Sequence, residues 1–113
     1  MAPGSPAAAN PRAVFDVAGE IFRIELVGAE NVAHARALLA GTGDGPIPNG
    51  VLALGDGGVN APWSWHIDPA SLEWADVTME VCDGRPTQIE DGSFRYERFC
   101  PWSAKLLRIE EVR

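Results

Sequence analysis

The chain has 113 residues, 46% of them hydrophobic, and a formal net charge of −7. That is the length of one domain, with enough apolar content for a modest core and too much for wholesale disorder. Nine Lys and Arg against sixteen Asp and Glu, with no basic run, exclude nucleic acid and anionic membranes as partners, because phosphates need clustered cations.

No apolar run approaches the ~20 residues of a membrane span. Met1 to Arg12 lacks the basic start and apolar core of a secretory signal and reads as a low-complexity leader, Ala-Pro-Gly-Ser-Pro-Ala-Ala-Ala-Asn-Pro-Arg after Met1. Residues 1–12 are expected to form a flexible tail, and 13–113 a single domain.

Phe15 to Val27 alternates: Phe22, Ile24 and Leu26 share one face, Arg23 and Glu25 the other. The pattern predicts a half-buried strand, with Gly19 marking a bulge or turn. From Gly28 to Ala40 the period becomes helical. Val32, Ala35, Leu38 and Leu39 form the stripe, Asn31, His34 and Arg36 lie off it, and Gly41 and Gly43 end the helix. A Gly- and Pro-rich loop leads to a short strand at Val51–Leu54 and a turn at Gly55–Gly58. Trp63, Trp65 and Ile67 then share one strand face and Ser64, His66 and Asp68 the other, with Pro62 at the entry and Pro69 at the exit.

Leu72 and Trp74 fall in a linking segment. Val77, Met79 and Val81 alternate with Thr78, Glu80 and Cys82, predicting another strand. Arg85–Asp91 is irregular or a short helix opened by Pro86, and Leu107, Ile109 and Val112 end the chain as a last strand. The expected fold is α+β: a single helix packed on one face of a four- to five-stranded antiparallel sheet.

Ser64, His66 and Asp68 mimic a nucleophilic triad in composition only. Same-face neighbours on a strand stand nearly 7 Å apart, about twice hydrogen-bond reach. His66 with Asp68, Glu80 or Asp83 is a weak metal pattern; the plainer role for His66 is a hydrogen bond that fixes a turn. Asp44 and Asp56 lack the ligand spacing of a calcium loop. No catalytic set, metal site or cofactor is therefore expected. Cys82 and Cys100 would pair in a secreted protein, worth roughly 3 kcal/mol, or stay buried thiols in a cytosolic one.

The blocks Trp63-Ser64-Trp65-His66-Ile67-Asp68-Pro69, Glu80-Val81-Cys82-Asp83 and Cys100-Pro101-Trp102-Ser103, with the helix segment Ala35–Leu39 before Gly41, resemble a family of small, mostly secreted bacterial proteins labelled calmodulin-binding protein. The resemblance covers about residues 15–110. It implies an extracellular protein, its signal peptide absent from this sequence, with a Cys82–Cys100 disulfide; it assigns no activity. Pro86 to Phe99 is shorter and more charged than the family pattern. The one-helix, antiparallel-sheet arrangement is similar to that of cystatin-like inhibitors, whose loops wedge into a protease cleft.

The expected role is a non-enzymatic binding domain. Asn60, Pro62 and Trp63 form one contact loop and Pro101 and Trp102 a second, with His66 and Asp68 as ordering polar residues. The competing role for Trp63, Trp65 and Trp102 is structural, in the core or over the disulfide, and it is favoured for Trp65 and Trp102. The partner is another protein, by analogy a protease; the alternative is a glycan or small ligand held by exposed tryptophans.

Overall fold

A computed structural model describes residues 10–112. The tail expected over 1–12 therefore lies mostly outside the described residues, and Arg12 already begins the first strand.

The single strand expected over Phe15–Val27 is a hairpin of β1 (Arg12–Val17) and β2 (Glu20–Glu25). Ala18 and Gly19 turn the chain with positive φ angles of 53° and 89°, the backbone of a tight two-residue hairpin turn. The Asp16 carboxylate accepts the Gly19 N–H at 2.8 Å and steadies it. Pairing sets Phe15 opposite Phe22, and the two rings stack with centroids 5.3 Å apart. The final strand, β7 (Lys105–Glu110), pairs with the other side of β1, giving a three-stranded antiparallel sheet.

The helix, α1 (Ala29–Leu39), follows as predicted. The second sheet is built on β3 (Ile47–Leu54). It pairs antiparallel with β4 (Trp65–Ile67), β5 (Glu73–Ala75) and the two-residue β6 (Arg98–Phe99). A 3-10 turn at Pro69–Ser71, capped by Asp68, separates β4 from β5. There the Ser71 hydroxyl accepts the Val51 N–H at 2.8 Å, taking the place of a ladder carbonyl. The fold class is α+β as expected, with the strands divided between two sheets rather than gathered in one.

Trp74 lies on β5, not in a linker. Its indole N–H donates to Asn31 at 3.0 Å and its ring stacks on His34 at 4.4 Å. The polar side of α1 thus docks onto the second sheet. A second, short helix, α2 (Pro86–Glu90), starts at Pro86, where a missing N–H costs nothing.

The predicted strand over Val77–Cys82 does not form. No ladder partner meets it among the described residues, and Glu80–Cys82 is a 3-10 turn. Cys82 is drawn inward by its bond to Cys100, which leaves Val77, Met79 and Val81 facing solvent. Of the other three residues, Cys82 alone is buried; Thr78 is half-buried and Glu80 exposed.

One core serves both sheets. Phe15, Phe22 and Ile24 from the first meet Trp65, Ile67 and Phe99 from the second. Trp65 is ringed by Phe99 at 5.7 Å, Phe22 at 5.9 Å and Trp63 at 6.2 Å. Its buried indole N–H has no hydrogen-bond partner among the described residues. An unmet donor costs about 1–3 kcal/mol, which area burial plus three aromatic contacts of roughly 0.5–1.5 kcal/mol each offset.

Across the first sheet, Arg23 of β2 donates to Glu110 of β7 at 3.0 Å, and Arg108 reaches the same carboxylate at 3.2 Å. The Arg23 hydrogen bond, helped by Arg108, holds the Glu110 carboxyl below its ordinary value of 4.5. A carboxyl depressed on folding stabilises the protein above its unfolded value and stops doing so as pH falls through the folded one. The stability advantage of wild type over Glu110→Gln should therefore be full at neutral pH and shrink on acidification below 4.5. Urea midpoints measured down the pH scale check this; a gap that persists or grows in acid contradicts it.

Candidate functional site

The expected contact loop, Asn60 to Trp63, is docked onto the protein itself. β2 is an edge strand of the first sheet, so the Ile21 carbonyl and the Arg23 N–H face away from β1. Asn60, 1% exposed, accepts the Arg23 N–H at 2.8 Å and donates to the Trp65 carbonyl at 2.9 Å. Trp63 donates its indole N–H to the Ile21 carbonyl at 2.7 Å and packs against the core. The bare edge of one sheet is thereby closed by side chains from the approach to the other. The Ala61–Pro62 peptide bond is cis, and Pro62 sits at the surface between these anchors.

α2 completes the clamp. Its Glu90 accepts both the backbone N–H and the hydroxyl of Ser64, at 2.9 and 2.7 Å, and these bonds hold the Glu90 carboxyl below the usual range. At the start of α2, the Thr87 N–H and hydroxyl donate to Glu20 of β2.

The ordering pair stands apart from any catalytic geometry. His66 Nδ1 lies 2.8 Å from the Gly55 carbonyl oxygen and fixes the turn before it. Asp68 accepts the Ala70 N–H. Ser64, His66 and Asp68 thus face three different partners. Among the described residues no cluster of three or more His, Cys, Asp or Glu could hold a metal ion.

Two of the expected contact residues, Asn60 and Pro101, are buried and cannot serve as surface contacts. Asn60 is buried because both ends of its amide are consumed by backbone groups. Pro101 is buried beside the disulfide-bonded Cys100. Of the three tryptophans with a competing structural role, Trp65 lies in the core and Trp63 packs against it. Trp102 is 43% exposed, its backbone N–H held by Asp83 at 2.7 Å.

Around Trp102 lies a surface that the periodicity assigns to the interior. Val77 is 84% exposed, Met79 58% and Val81 53%. Val77 and Trp102 share a groove of about 270 Å³ with Ile47, Asp76 and Thr78. Val81 borders a neighbouring groove with Asp83, Phe94, Arg95 and Tyr96. The strip is held at one end by the Asp76 carboxylate, which accepts the Gly45 N–H at 2.8 Å. The Cys82–Cys100 bond holds the other, embedded with Ile47 and Tyr96. One signal in the sequence could have exposed it: four carboxylates and no Lys or Arg from Glu73 to Asp83 is an unusual setting for a buried strand.

The geometry defines a small disulfide-stapled α+β domain that presents a fixed apolar strip beside one exposed tryptophan. The family model described as the BP-74 N-terminal domain matches residues 10–113, and the chain belongs to that family. No curated protein and no solved structure matches it.

Two outcomes separate clamp from strip. Asn60→Ala leaves a buried N–H and a buried carbonyl unmet and should cost about 2–4 kcal/mol, read from urea unfolding. Val77→Ser removes a solvated side chain and should change stability by less than about 0.5 kcal/mol. Equal losses would contradict the assignment.

Proposed function

We propose that this domain is a non-enzymatic, extracellular protein-binding module, and that its contact surface is the strip Val77, Met79 and Val81 with Trp102. The observation that carries this is the exposure of Val77, Met79 and Val81 on a segment fixed at both ends, with exposed Trp102 sharing a groove with Val77. Exposed apolar chains grouped in this way mark interaction sites, and pre-ordering lowers the entropy lost on binding. A disulfide between two buried cysteines supports an oxidising compartment. No helix among the described residues is long and apolar enough to cross a membrane.

The inhibitor-like arrangement, with Asn60 to Trp63 as a wedge, has little left to insert, since that loop is consumed in closing the β2 edge. A protease partner would have to meet the strip instead. The glycan reading rests on Trp102 as a single platform, because the indoles of Trp63 and Trp74 are bonded internally and Trp65 is buried. The calmodulin label carried by similar proteins is not favoured by this chain's chemistry. Calmodulin targets are basic amphipathic helices, and α1 carries one Arg and one Glu in an acidic protein.

The test is capture from culture fluid on immobilised protein, with each captured protein then titrated singly. The combined variant Val77→Ser, Met79→Ser, Trp102→Ala should fold normally and bind at least roughly tenfold more weakly, as loss of a hot-spot cluster does. The surface variant Pro62→Ala should bind as wild type. Retained affinity in the triple variant overturns the proposal.

A further inference from the structure

We infer that the strip's occupant is a cationic amphipathic polypeptide segment, an inference that rests on the docking role proposed above. Its first ground is charge. From Glu73 to Asp83 the chain has four carboxylates and no Lys or Arg. Glu73 is engaged by Arg98 at 3.5 Å. Asp76, Glu80 and Asp83 make no ion pair among the described residues and are all exposed.

Two of these three are fixed in place. Asp76 is held by the Gly45 N–H and Asp83 by the Trp102 N–H, each through one oxygen. The second oxygen of each carboxylate stays available. Exposed Val77, Met79 and Val81 are interspersed along the chain with Asp76, Glu80 and Asp83, a composition complementary to a helix with Leu-like residues on one face and Lys or Arg beside them. The chain's net charge of −7 adds attraction at longer range.

The groove beside Trp102, about 270 Å³, takes one large apolar side chain as an anchor. Met79 stands between Val77 and Val81 in the chain, and its unbranched thioether adapts to differing apolar shapes. No Lys or Arg lines the Trp102 groove; Arg95 lines the neighbouring one with Val81 and Tyr96. A second copy of the chain would set like carboxylates against each other, and an anionic membrane would do the same; both are disfavoured by repulsion.

The experiment titrates the intact, oxidised protein with three labelled synthetic helices of equal length: Leu/Lys, Leu/Glu and Leu/Ser. The Leu/Lys peptide should bind with a Kd on the order of 10 µM and Leu/Glu should not bind. Affinity for Leu/Lys should fall severalfold as salt rises from about 50 mM to about 500 mM. Asp76→Asn, Glu80→Gln, Asp83→Asn together keep both acceptor oxygens and should weaken it roughly tenfold, the sum of three exposed ion pairs.

The charge-matched set Glu25→Gln, Glu30→Gln, Glu111→Gln should leave it nearly unchanged. An equal loss in that set shows a whole-chain charge effect and overturns the inference. Leu/Ser binding as tightly as Leu/Lys, and lost in Met79→Ser, Trp102→Ala, overturns the cationic assignment while leaving docking at the strip intact. Absence of binding by all three peptides overturns both.

Discussion

The fold depends on how one bare strand edge is closed. β2 ends the first sheet, and an unpaired edge invites pairing with any free strand. Here Asn60 and Trp63 bond to the outward backbone groups of Arg23 and Ile21. The same Asn60 amide reaches the carbonyl of Trp65 at the start of β4. One side chain thus ties together two sheets that also meet through packed apolar groups, such as Phe22 against Trp65 and Phe99. Ring contacts are broad in geometry, whereas two hydrogen bonds on one planar amide fix position and direction. The clamp supplies the specificity and the aromatic core the bulk of the burial.

This division decides which side chains stay free of internal duties. The segment richest in tryptophan is spent on internal architecture. The surface left over comes from the stretch between the clamp and the disulfide, which the core does not need. Such surplus is scarce in a small domain, where most large apolar side chains are needed in the core; Leu54, 94% exposed, is another that this fold leaves outside.

Much of the fold was legible in the residues. The extent of α1 and the Trp65–Ile67 face follow directly from spacing; the stripe and the last strand do so in part, since Leu39 and Leu107 are exposed and Val112 lies beyond β7. Gly19 signalled a bulge or turn within Phe15–Val27, but the full hairpin needed Ala18 at a positive φ too, which non-glycine residues seldom adopt. The docking of Trp74 on His34 was invisible because it joins the polar side of a helix to a strand far along the chain, and no periodicity encodes that. Asn60 read as a loop residue since polar residues are usually exposed; only tertiary contact reveals an amide with both ends consumed. Val77 to Val81 misled for the opposite reason. Alternation makes a strand only where a ladder partner is at hand, and none meets this segment among the described residues.

The staple between Cys82 and Cys100 has a consequence for how such a surface can change over time. Cys82 anchors the strip through a covalent bond, so Val77, Met79 and Val81 contribute little packing to the interior. Replacing them carries little stability penalty, and most substitutions at solvated sites are nearly neutral. Positions that are free of a folding role yet rigidly displayed are open to variation. The domain thus separates a frame fixed by its own packing from a face that selection can rewrite one residue at a time, without the frame having to be rebuilt.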